Sequence, residues 1–137
     1  MDLEFYIYNK GNVAYSYSEG SSFFTRDDRV LVTGFLSALH SFATATMKED
    51  LNNVTMSSTS IYFKKLEEKP DILLILIVAD YESELNVGDF FKGMLKSINA
   101  NSDFISNIEE RSLHSKITRI VRSNIQFLPK SLMEVGA

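Results

Sequence analysis

Apolar and polar positions alternate along the start of the chain. Residues 3–8, LEFYIY, set Leu3, Phe5 and Ile7 against Glu4, Tyr6 and Tyr8, the period expected of a half-buried strand. Residues 13–18, VAYSYS, alternate again, with Val13, Tyr15 and Tyr17 on one side. The linker Asn9-Lys10-Gly11-Asn12 contains a glycine free to take positive φ, so the pair predicts a hairpin. After EGSSFFTRDD the period lengthens to three and four, predicting a helix over 29–47. Its inner arc would hold Leu31, Phe35, Ala38, Leu39 and Phe42. Thr25, Asp27 and Asp28 offer capping oxygens and negative charge at its start, and Lys48-Glu49-Asp50 ends it.

Residues 53–57 are a short strand candidate and 59–66, TSIYFKKL, a stronger one, rich in β-branched and aromatic side chains. Pro70, in the segment EEKPD, lacks an N–H and turns the chain. DILLILIVAD, residues 71–80, then puts eight consecutive apolar residues between two aspartates. That run falls far short of the ~20 residues a membrane helix needs. Its lack of alternation predicts a strand shielded on both sides. A helix over 86–99 follows, with Val87, Phe90, Phe91, Met94, Leu95 and Ile98 inward. A last helix over 113–124 turns Leu113, Ile117, Ile120 and Val121 inward and Lys116, Arg119 and Arg122 outward. Residues 103–110 extend either helix, and a loose tail is expected from 129 to 137. The order β-β-α-β-β-β-α-α reads as one α+β domain over residues 1–128.

Composition narrows the class. The 137 residues are 45% hydrophobic and 23% charged, without cysteine, which excludes disulfides and thiolate metal sites. MDLEFYIYN begins acidic and alternates, unlike a signal peptide, so the cytoplasm is the default compartment. Asn53-Val54-Thr55, a glycosylation pattern, then reads as coincidence. The net charge of −4 divides into −7 over residues 1–91 and +4 over 92–130, with Glu134 supplying the remainder. An acidic body argues against nucleic-acid binding, which needs a basic footprint. Lys116, Arg119 and Arg122 form a local basic face, suited at most to peripheral contact with a membrane or an acidic partner.

Little points to catalysis. A hydrophobic strand ending at Asp80 resembles the metal-binding aspartate of nucleotide hydrolases, but none of the six glycines precedes a lysine as a phosphate loop requires. His40 and His114 are the only histidines, far apart and without neighbouring carboxylates in a ligand pattern, and read as surface or interface residues. The pairs Asp27/Asp28, Glu67/Glu68 and Glu109/Glu110 are adjacent, so their members point apart. The expectation is no enzyme, no cofactor and no metal.

The first helix carries the most unusual signal. From Val30 to Met47, eighteen residues include no Asp, Glu, Lys or Arg. Opposite its expected inner arc lie Thr33, Gly34, Ser37, His40, Ser41 and Thr44, small and neutral where a solvent-facing helix normally carries Lys and Glu. A well-covered helix, a protein interface and a membrane span all fit; six Ser, Thr or His residues and no flanking basic cluster weigh against the span. Thr33, Ser37, His40, Ser41 and Thr44 are the candidate partner-binding residues. Tyr15 and Tyr17 are weaker candidates, because tyrosine joins contact area to a polar tip but serves equally in a core.

FYIYNKGNVAYSYS as an opening hairpin, VLVTGFLSALHSFATAT as first helix and IYFKKLEEKPDILLILIVADYE as the last two strands resemble the longin fold. The likeness covers roughly residues 3–124 and is closest to longin- and roadblock-type domains of archaea that encode many small Ras-like GTPases. A roadblock domain begins with a helix, whereas this chain opens on the hairpin, which favours longin. The resemblance implies a five-stranded mixed or antiparallel sheet, with one helix on one face and two on the other. It implies a non-catalytic scaffold or regulator of a small GTPase or trafficking-type complex, paired as a homo- or heterodimer with a longin or roadblock domain. Family interfaces often use the first helix and a neighbouring sheet edge. The 137 residues contain no heptad SNARE segment, so a SNARE role is not the expectation. The alternative is a small-molecule sensor of PAS- or profilin-like architecture.

Overall fold

The apolar run at the centre of the chain becomes the middle of a sheet. In the computed structural model, which describes residues 2–10, 12–20, 26–49, 52–56, 59–66, 69, 71–79, 85–101 and 110–128, the strands are β1 (Leu3–Asn9), β2 (Asn12–Glu19), β3 (Asn53–Thr55), β4 (Thr59–Lys65) and β5 (Ile72–Ala79). The helices are α1 (Arg26–Phe42), continued by a π-helical turn (Ala43–Met47), then α2 (Val87–Ala100), and α3 (His114–Ile125) entered through a 3-10 turn (Arg111–Leu113). The architecture is α+β, as expected. By internal contacts the chain divides into two compact units, Met1–Asp80 and Tyr81–Ala137.

The first unit holds all five strands, in the order β2-β1-β5-β4-β3, every neighbouring pair antiparallel. β5 therefore bonds to β1 on one side and β4 on the other. Seven of its eight residues, Ile72 to Val78, are buried. Both faces of the strand are thus withdrawn from water, which explains the missing alternation. The same holds for β1, where Leu3 to Tyr8 are all buried, so the half-buried strand expected there is corrected: both of its faces are withdrawn from water. The β4–β5 connection is closed by Leu66 N–H to Ile72 O at 3.1 Å and Ile72 N–H to Lys69 O at 2.9 Å.

Two details of the hairpin depart from expectation. The register shifts between Ile7, opposite Tyr15, and Tyr8, opposite Val13, leaving Ala14 as an extra residue. This bulge puts Val13 on the other face from Tyr15 and Tyr17, and Val13 is exposed. Positive φ falls on Lys10 (51°), whose N–H reaches Asp71 O at 3.1 Å; Gly11 lies outside the described residues.

In the second unit, α2 buries Phe90, Phe91, Met94 and Ile98, and α3 buries Ile117, Val121 and Ile125, at the three- and four-residue spacing the sequence displays. Leu128 is fully buried as well. The two helices approach closely at Gly93: a methyl group there would overlap Asn124 Oδ1 and lie 2.9 Å from its Cγ. Asn124 Nδ2 donates to Ile120 O at 2.9 Å, which holds the amide in place against that glycine.

Candidate functional site: the outward face of α1

α1 begins at Arg26, three residues before the expected start, so Asp27 and Asp28 fall inside the helix rather than ahead of it. Thr25 and Asp50 lie outside the described residues. At its far end the helix loosens into the π-helical turn, and Lys48 takes a left-handed conformation (φ 59°, ψ 27°). Glu49 N–H then reaches back to Ala43 O at 3.4 Å, a C-terminal closure like those usually built on glycine.

The orientation of this helix overturns the expected inner arc. Leu36 is buried and His40 only 8% exposed, while Leu31 is 72%, Phe35 66% and Phe42 58% exposed. Ala38 is exposed too, and Leu39 half-buried. The inward side runs through Leu36, in one buried cluster with Tyr6, Tyr8, Ile61, Phe63, Ile75 and others, with Val32 packed against it. His40 completes that side, stacked on Phe63 with ring centroids 6.0 Å apart and planes inclined by 29°.

The physical reason lies in the layer beneath. The sheet face under α1 carries polar tips as well as aliphatic groups. Tyr6 Oη donates to Glu4 Oε2 at 2.7 Å, and Glu4 itself is fully buried. A methyl group added at Gly34 would meet Tyr8 Oη at 4.0 Å, so this glycine sits over a phenol. A helix side that carries Val32, Leu36 and one histidine suits such a layer, and the more apolar side is left in water.

The expected partner residues therefore scatter. His40 is a core residue rather than the surface or interface histidine expected. Ser41 and Thr44 are exposed and Ser37 is half-buried; the Thr33 side chain lies outside the described residues. Thr44 Oγ1 donates to His40 O at 3.0 Å. Tyr15 is buried, its ring 6.4 Å from that of Phe5, and Tyr17 is half-buried with its Oη donating to Glu19 Oε2 at 3.3 Å.

The surface the sequence reading missed is Leu31, Phe35, Ala38 and Phe42, residues it assigned to the core. At 100° per residue these four fall within a narrow arc, and none has a charged neighbour between Val30 and Met47. With fully exposed aromatic side chains contributing ~150–250 Å² each, Phe35, Phe42 and Leu31 leave roughly 300–450 Å² of apolar surface in water. The largest apolar patch on an ordinary monomer is about 300–600 Å² and is often functional. Each such side chain forgoes up to roughly 1.5–3 kcal/mol of burial. Met47, at the end of the π-helical turn, is exposed as well.

On α3, the outward placement of Lys116, Arg119 and Arg122 agrees with the sequence pattern. An open groove of about 380 Å³ is lined there by Ser115, Thr118, Arg119, Arg122, Ser123 and Gln126. Among the described residues no cluster of three His, Cys, Asp or Glu is placed to hold a metal ion, and no helix is long and apolar enough to cross a membrane. Asp80, Glu67, Glu68 and Glu109 lie outside the described residues. No family model and no curated protein matches this chain.

Proposed function

We propose that this chain is a non-catalytic, longin-like interaction module that pairs through the outward face of α1. The pair then acts as scaffold or regulator of a small Ras-like GTPase. The observation that carries the pairing is the exposed stripe Leu31, Phe35, Ala38 and Phe42 on a helix that carries no Asp, Glu, Lys or Arg from Val30 onward. The simplest partner is a second copy, because the steps of four, three and four read the same in both directions. An antiparallel two-fold arrangement sets Leu31 against Phe42 of the other copy and Phe35 against the small Ala38, a bulky group facing a gap. Neutrality lets two chains of net charge −4 meet there without opposed like charges. The stripe supplies about half of the ~800 Å² per partner found in standard interfaces; Ser41 and the other uncharged residues beside it extend the contact.

The GTPase half rests on the resemblance in element order and local texture. Its test is a pull-down of the host's small GTPases, each loaded with GDP or a GTP analogue, on the immobilised chain and on Phe35→Glu/Phe42→Glu. Retention of a GTPase by the native chain, with preference for one nucleotide state, supports the role. Retention of none in either state contradicts it.

A further inference from the structure

We infer that the outer face of α3 is a docking surface for an anionic phospholipid bilayer, with headgroup phosphates seated in the groove at Arg119 and Arg122 and Phe127 entering the interface beside it. α3 contains three basic side chains and no acidic one, within a chain whose net charge is −4. Two of its guanidiniums line the open groove together with the hydroxyls of Ser115, Thr118 and Ser123 and the amide of Gln126. Guanidinium forks bind phosphate oxygens in pairs, and hydroxyls and amides add neutral hydrogen bonds to the same group. Lys116, also exposed, adds a third positive charge to this side of the helix.

A soluble phosphate ligand would use the same chemistry, and Phe127 decides between the two. It follows Gln126 at the end of the groove and is 64% exposed, on a turn held by hydrogen bonds. Its N–H donates to Asn124 O at 3.1 Å, its carbonyl accepts from Asn86 Nδ2 at 3.3 Å, and the next N–H, of Leu128, donates to Ile125 O at 3.0 Å. Leu128 itself is fully buried. The ring is therefore presented to water by an anchored backbone. A basic polar face next to an exposed phenyl ring is the pattern of elements that lie in the headgroup layer without spanning it. Three basic residues and one aromatic give reversible, salt-dependent binding, because each charge near an anionic surface contributes only about 1 kcal/mol.

The test is vesicle co-sedimentation of the whole chain with phosphatidylcholine vesicles, with and without phosphatidylserine. Binding is expected only with phosphatidylserine and should fall as salt is raised. Arg119→Gln/Arg122→Gln should weaken it roughly thirtyfold, and Phe127→Ser on the order of tenfold. All three positions are exposed, and an unchanged far-UV spectrum and melting curve verify that each variant is folded. Absence of binding to phosphatidylserine vesicles overturns the inference, as does binding indifferent to the arginine pair. Inorganic phosphate shifting the amide resonances of α3 while vesicles do not bind overturns it in favour of a soluble ligand.

Discussion

β5 and the part of α1 from Val30 onward are both uncharged and rich in apolar side chains, yet they meet opposite environments. Ile72 to Val78 are buried without exception, on a strand bonded on both edges. α1 keeps only Leu36 and His40 buried among its described side chains and turns Leu31, Phe35 and Phe42 into water. Absence of charge thus marks surface that is to be kept from water, without saying what does the keeping. For β5 it is the fold of this chain. For α1, in the reading proposed above, it is a second molecule.

Deleting the same kind of side chain from the two regions should therefore have unequal effects. Ile75→Ala removes a fully buried group at the middle of the sheet, and should cost about 2–5 kcal/mol in urea unfolding. Phe35→Ala, measured at dilutions where the chain is monomeric, should change stability by less than about 0.5 kcal/mol. Equal losses at the two sites would break the contrast.

The layer between the two regions offers an intermediate effect. Tyr6→Phe deletes the hydroxyl that donates to the buried Glu4 carboxylate, and is expected to cost about 1–3 kcal/mol in the same assay. A neutral result would mean that the polarity beneath α1 does not govern which side of the helix faces inward.

Gly34→Ala should act in the other direction. Among the described residues nothing lies closer to the added methyl than Tyr8 Oη at 4.0 Å, ordinary van der Waals contact, and alanine is the better helix former. A gain of about 0.5–1 kcal/mol is expected, read as a higher urea midpoint with an unchanged slope. A loss would mean that α1 lies closer to the sheet than Gly34 now indicates.

Most of the fold is readable from local pattern, because strands and helices write different periods into the chain. The ends of β1, β4, β5, α2 and α3 fall within one or two residues of those expected, and Phe90, Phe91, Met94, Ile98, Ile117 and Val121 are buried as their spacing predicts, while Val87, Leu95, Leu113 and Ile120 are half-buried. Three features are not readable. The bulge at Ala14 leaves no trace, since Val13, Tyr15 and Tyr17 alternate perfectly and only pairing with β1 reveals the extra residue. The left-handed Lys10 is hidden beside a glycine better suited to that conformation. The third is decisive for the site. α1 carries two apolar sets, Val32 with Leu36 on one side and Leu31, Phe35, Ala38 and Phe42 on the other. A rule that buries the more apolar arc chooses the second. The fold buries the first, because the sheet under it presents Tyr6, Tyr8 and Glu4 and receives His40 against Phe63. The missing charges from Val30 to Met47 mark the helix in the sequence, but which of its residues face out depends on the sheet.

The central claim is that the outward stripe of α1 is an interface. Its most direct test is sedimentation velocity of the native chain and of Phe35→Glu/Phe42→Glu over a wide concentration range. The native chain should shift from monomer to dimer as concentration rises. The variant, with two carboxylates set into the middle of the stripe, should stay monomeric with an unaltered far-UV spectrum. A native chain that remains monomeric throughout, or a variant that dimerises as readily as the native chain, would contradict the pairing through α1.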